Sequence, residues 1–96
     1  MTPDDFIERI KPFQPERIIL FGSHTSGNTH TESDLDVLII KNTKQRYHDR
    51  LIDVRRLLRT TTPVDVFVLT EEELQKERLS NPFIQEILSK GKVIYG

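Results

Sequence analysis

Apolar and polar positions along the chain fall into short blocks, each with the period of a helix or of a strand. Thr2-Pro3-Asp4-Asp5 reads as a helix start. Thr2 caps, Pro3 suits the first helical position, and Asp5 closes a capping-box-like pair. Phe6, Ile7 and Ile10 then share one face, and Pro12 and Pro15 end the helix. Residues 17–21 are an apolar, β-branched run and are expected to form a buried strand, stopped by Gly22-Ser23. Residues 24–33 form a polar loop, and residues 34–40 a second strand whose apolar end is nearly continuous, as in a strand covered on both faces. From 44 to about 60, Tyr47, Leu51, Val54 and Leu58 recur with helical spacing until Thr60-Thr61-Thr62-Pro63 breaks the pattern. Residues 64–69 are a third strand, and Thr70 with Glu73 is a capping box for another helix. Asn81-Pro82 opens a last helix with Phe83, Ile84, Ile87 and Leu88 as its apolar stripe and Gly91 as its stop. That stripe reads as core, with part of it available to an interface. Val93-Ile94-Tyr95 is a final short strand.

This order predicts a single α/β (α+β) domain over residues 1–96, with a small sheet flanked by helices. The link at 22–33 is too short for a helical crossover, so the sheet is expected to be mixed. Composition narrows the classes further. There is no Cys, which excludes a disulfide framework, a thiolate metal site and a Cys nucleophile. No apolar run approaches the ~20 residues of a membrane span, and the acidic N-terminus lacks a signal core. A cytoplasmic protein with no membrane partner is therefore expected. Lys and Arg number 14 against 15 Asp and Glu, so bulk charge does not hold this chain to nucleic acid.

The informative charges are those placed among apolar residues. Asp34 and Asp36 are two apart on one strand and so project from the same face. Asp65 opens the third strand in the same way. Like charges beside a core repel unless paired or metal-bound, and no cation in these strands offers itself. All-oxygen ligation suits Mg²⁺ or Mn²⁺, which bind through few carboxylates plus substrate phosphates. Gly22-Ser23, at the carboxyl end of the first strand, lets a phosphate approach the backbone and offers a hydroxyl to it. A phosphate cradle beside three carboxylates is what nucleotidyl transfer requires, with one or two metal ions and an Asp to help deprotonate the attacking hydroxyl.

Leu20-Phe21-Gly22-Ser23, ten residues, then Asp34-Leu35-Asp36 resembles the Gly-Ser-x10-Asp-x-Asp signature of the DNA polymerase β-like nucleotidyltransferase superfamily. Ser33-Asp34 is similar to the pair found in its minimal nucleotidyltransferase branch, and Asp65 falls at that family's third acidic position. The resemblance implies a polymerase β-like fold, with Asp34, Asp36 and Asp65 as catalytic and metal-binding residues. It assigns Gly22, Ser23 and Ser33 to the nucleotide, Mg²⁺ (two ions in some members, Mn²⁺ substituting) as cofactor and ATP as substrate. Family members often carry basic residues directly after Gly-Ser; His24-Thr25-Ser26-Gly27 stands there instead. Many minimal nucleotidyltransferases resemble type VII-like antitoxins, whose partner is an all-helical HEPN-domain ribonuclease toxin. Some transfer AMP from ATP to a tyrosine of that toxin. The resemblance thus implies a HEPN toxin as partner and acceptor, in a hetero-oligomer or with a homodimeric enzyme. The alternatives are an antitoxin that neutralises by contact alone, and a transferase acting on a small molecule or an RNA end.

Other readings of the same residues are weaker. Residues 22–29 nearly fit a P-loop, but Asn28 stands where its Lys makes the phosphate contact. His24, His30 and His48 have no tight ligand spacing and read as solvated, with His24 in reach of a phosphate. Residues 41–59 hold seven Lys and Arg against Asp49 and Asp53. Such a run is ordinarily the wet face of a helix, and its functional reading is docking to an acidic partner or to RNA.

Overall fold

The computed structural model describes residues 2–22, 35–59 and 64–96. The described elements run in the order α1 (Pro3–Ile10), a 3₁₀ turn (Lys11–Phe13), β1 (Arg17–Phe21), β2 (Leu35–Ile40), α2 (Tyr47–Leu58), β3 (Val64–Leu69), α3 (Glu71–Ser80), α4 (Pro82–Lys90) and β4 (Lys92–Tyr95). The strands form one sheet in the order β3-β2-β1-β4. β1 pairs antiparallel with β2 and with β4, whereas β2 and β3 are parallel. This is the expected mixed α+β sheet flanked by helices.

The strand alternation sorts the core into two layers, one on each face. Ile18 and Leu20 of β1, Leu35, Val37 and Ile39 of β2 and Val68 of β3 pack with Phe6 and Ile10 of α1 and Val54 and Leu58 of α2. On the other face Ile19, Phe21, Leu38 and Ile40 pack with Leu74 of α3 and Ile84 and Ile87 of α4. β2 is central and apolar on both faces, as its continuous run requires. Each such side chain removed from water stabilises the fold by about 1.5–3 kcal/mol.

Local signals set the helix starts. Thr2 Oγ1 accepts from Asp5 N at 3.1 Å, and Thr70 with Glu73 forms a full capping box. Asn81 Oδ1 accepts from Phe83 N at 3.0 Å, which caps α4. Gly91 does end α4, but not by a left-handed turn: its φ is −72°. A Cβ there would overlap Ile87 O and lie 2.7 Å from Ile19 Cγ2, so close approach of helix to strand is what favours glycine. The stripe on α4 divides: Ile84 and Ile87 are buried, and Phe83 and Leu88 are exposed.

The second expected helix differs in two respects. It begins at Tyr47 rather than 44, because Asn42 is held by Glu16 and Thr43 Oγ1 accepts from Gln45 N in a turn. Its buried face is Arg50, Val54 and Leu58, with Leu51 half-buried and Tyr47 exposed. Arg50, counted above among the wet charges, is only 5% exposed. Its Nε donates to Gln45 O at 3.0 Å, Nη1 to Val68 O at 3.1 Å and to Glu73 Oε1 at 2.7 Å, and Nη2 to Glu73 Oε2 at 3.2 Å. A guanidinium tolerates burial here because its donors are used, and the fork ties α2 to β3 and to the start of α3. Glu73 is held below the usual carboxylate range, chiefly by that hydrogen bond from Arg50.

Candidate active site

Three chain segments meet at one end of the sheet. β1 arrives there with its carboxyl end, β2 and β3 with their amino ends. The register opposes Phe21 to Asp36 and Asp36 to Asp65. Adjacent strands lie about 4.8 Å apart, and partners in register project from the same face. Alternation puts both aspartates on the face that carries Phe21, Leu38, Ile40, Phe67 and Leu69. On their own strands they stand beyond the apolar residues of that layer, level with Phe21, Asp36 half-buried and Asp65 exposed.

Gly22 closes the group. Its φ is +78°, a left-handed conformation that turns the chain as β1 ends. A Cβ at this position would overlap Asp36 Oδ2 and lie 3.1 Å from Asp36 Cγ. Glycine is thus required twice, for the backbone angle and for the space above a carboxylate. The Asp36 carboxylate itself packs into that space, against the Gly22 backbone. Two in-register carboxylates with oxygen donors only are a fitting set for a hard divalent cation such as Mg²⁺.

Of the residues expected from the sequence, the structure brings Gly22, Asp36 and Asp65 together. Ser23, Ser33 and Asp34 lie outside the described residues, as do His24 and His30. Among the described residues, no three His, Cys, Asp or Glu side chains gather into a metal-holding group.

The sequence reading missed an aromatic cluster beside the acidic pair. Phe67, two residues after Asp65 on the same face, lies 6.2 Å from Phe21 and 5.5 Å from Phe83, centroid to centroid. Phe83 meets Phe21 edge-on at 5.7 Å and 84°. Phe67 and Phe83 continue with Tyr47, Leu69 and Ile84 into an open cleft of about 250 Å³, whose rim carries Glu77 and Asn81. Burial pushes the Tyr47 phenol up from its ordinary value. The period-two placement of Phe67 after Asp65 was the available signal; the approach of Phe83 from α4 is tertiary and left none.

A glycine turn against an aspartate, with a second aspartate in register on the neighbouring parallel strand, suits a nucleotide-handling α+β fold. Comparison with known proteins agrees with that class. The chain belongs to the Polymerase beta, Nucleotidyltransferase family, whose model matches residues 6–96, and it is a nucleotidyltransferase. It is 33% identical over 81 residues to a Methanocaldococcus jannaschii protein whose name proposes a protein adenylyltransferase, covering 83% of this chain and 78% of that one. It is also similar to the crystal structure of a Sulfolobus solfataricus protein whose name proposes a nucleotidyltransferase. The TM-score there is 0.58 with 26% identity, covering 94% of this chain and 72% of the other. No helix among the described residues is long and apolar enough to cross a membrane.

Proposed function

We propose that this nucleotidyltransferase is a Mg²⁺-dependent protein adenylyltransferase, moving AMP from ATP to a tyrosine hydroxyl of a partner of the HEPN ribonuclease class and so silencing that toxin. The observation that carries the reading is the Asp36–Asp65 register beneath the side-chain-free Gly22. The relative whose name proposes protein adenylylation supports a protein acceptor over a small molecule or an RNA end.

In the reaction the acceptor oxygen bonds to the α-phosphorus of ATP. The bond to the bridging oxygen breaks, pyrophosphate leaves, and the acceptor proton passes to a base. Asp36 and Asp65 would hold the cation, and Asp34 is assigned to the same set by the motif. When bound, Mg²⁺ supplies charge neutralisation to the triphosphate and acidifies the acceptor hydroxyl. Gly22 would present backbone, not side chain, to the phosphates. Asp65, the more exposed carboxylate, would take the acceptor proton.

The test is transfer of label from α-labelled ATP, with Mg²⁺, to a purified HEPN partner, read by autoradiography and by partner mass. Label is expected with the wild type and is lost in Asp36→Ala and Asp65→Asn. An unlabelled partner with wild-type enzyme overturns the mechanism. Protection of cells that survives Asp36→Ala would show an antitoxin that works by contact.

A further inference from the structure

The basic run on residues 41–59 does not act as one surface. Arg50 is consumed by Glu73, and Lys41 lies over the Phe13 ring at 4.7 Å while donating to Phe13 O. Asp49 and Asp53 sit in the earlier turns of α2. Of the rest, Lys44 and the N-cap Arg46 stand exposed before the helix, while Arg55, Arg56 and the C-cap Arg59 gather, all exposed, at its C-terminus. Arg9, in the last turn of α1, joins them by donating through Nη1 to Leu58 O. Among the described residues, none of these four arginines is in an ion pair.

Topology decides where this patch lies. Because β2 and β3 are parallel, α2 must return the chain to the end of the sheet at which both strands begin. Arg59 precedes Val64 by only five residues, and Leu58 packs in the same cluster as Leu35 and Val64. The arginines therefore flank the end of the sheet that carries Gly22, Asp36 and Asp65, on the opposite face. Cations at a helix C-terminus complement its dipole, which accounts for Arg55 and Arg56. It does not account for Arg59, which occupies a left-handed position (φ +48°) where glycine is favoured. A residue that breaks a local rule at the rim of a site points to a role outside folding.

We infer that the Arg9, Arg55, Arg56 and Arg59 patch is the docking surface for an acidic segment of the acceptor protein, next to the hydroxyl to be modified. This rests on the protein-acceptor reading and adds the chemistry that selects the acceptor. A polyanionic acceptor segment would otherwise be repelled by the carboxylates of the site. Four arginines at the same end of the sheet offset that repulsion and orient the chain.

The probes are two tyrosine copolymers, poly(Glu,Tyr) and poly(Lys,Tyr), fluorescently tagged for anisotropy and untagged as acceptors for α-labelled ATP. Poly(Glu,Tyr) is expected to bind more tightly, less so at high salt, and to accept label faster. Arg55→Gln/Arg56→Gln/Arg59→Gly should weaken its binding about tenfold, with KM for ATP unchanged. Arg59→Gly alone suits the backbone angle, so it should weaken binding without lowering the unfolding midpoint. Equal binding by wild type and triple variant overturns the inference. So does a rise in KM for ATP with copolymer binding intact, which would make the patch a triphosphate site. A single-stranded RNA oligonucleotide that binds more tightly than poly(Glu,Tyr), through the same arginines, overturns it too. Arginine-dependent copolymer binding with no label transferred to either polymer supports the docking surface and counts against the transfer reading.

Discussion

Replacing Gly22 by alanine tests the site through one methyl group. The left-handed angle at Gly22 costs a residue with a Cβ about 1–2 kcal/mol. The new Cβ also overlaps Asp36 Oδ2. That oxygen ends a short side chain with two torsions, so the side chain rather than the backbone gives way. The swing is costly elsewhere. Restoring ordinary contact takes a retreat of about 1 Å, and a misplacement of that size at a reacting centre costs about 100-fold in rate. Gly22→Ala is therefore expected to lose ~1–2 kcal/mol in urea unfolding, moving the midpoint by roughly 1 M, while its pyrophosphate release with ATP and Mg²⁺ falls about 100-fold. In an Asp36→Ala background only Asp36 Cβ remains near, at an ordinary 3.4 Å. Gly22→Ala should there cost the backbone term alone and no further activity. A folded Gly22→Ala enzyme with near wild-type pyrophosphate release would refute the placement of Gly22 over a working carboxylate.

Three further outcomes follow from the packing. Arg50→Ala strands Val68 O and Gln45 O and leaves Glu73 without its fork; since Glu73 is itself half-exposed, the expected loss in urea unfolding is ~2–3 kcal/mol. Glu73 is held below the usual carboxylate range in the folded state, so its contribution is present above its unfolded pKa. It is lost as pH falls through the lowered value, and Glu73→Gln should flatten stability against pH in acid below about 4.5. Asn81→Ala removes the Oδ1 that accepts from Phe83 N and Ile84 N and should lower stability by ~1 kcal/mol, read as a fall in unfolding midpoint at unchanged m-value.

The parts legible in the sequence were those written in local chemistry. β1 and β3 match their apolar runs residue for residue, and the caps at Thr2, Thr70 and Asn81 form as their spacing requires. Asp36 and Asp65 were legible as candidates because their polarity contradicts the runs they interrupt, and Gly22 because it stops one at its carboxyl end. Arg50 was not, since a charged residue on an amphipathic helix is indistinguishable from its exposed neighbours until Glu73 arrives from twenty-three residues away. Tyr47 has the right period for the core, yet the helix face it begins is occupied by Arg50, and it lines a cleft instead. The aromatic meeting of Phe21, Phe67 and Phe83 is equally non-local. It joins two strands to a helix N-terminus that only the packed α4 delivers.

The mixed sheet is what makes a two-aspartate register attainable. An antiparallel β2–β3 pair would place Asp36 and Asp65 at opposite ends, since each lies one residue from the start of its strand. The parallel pair, bridged by α2, puts both starts together, and the antiparallel β1 brings Gly22 to the same end. Register is then held by the core rather than by the acids. Val64, Val66 and Val68 pack on one face and Phe67 and Leu69 on the other. A slip of β3 by one residue would exchange these sets and drive the Asp65 carboxylate into the apolar layer under α1 and α2. Burying that charge unpaired costs several kcal/mol. The apolar alternation of a strand that contributes little else to the site therefore fixes where its one carboxylate stands.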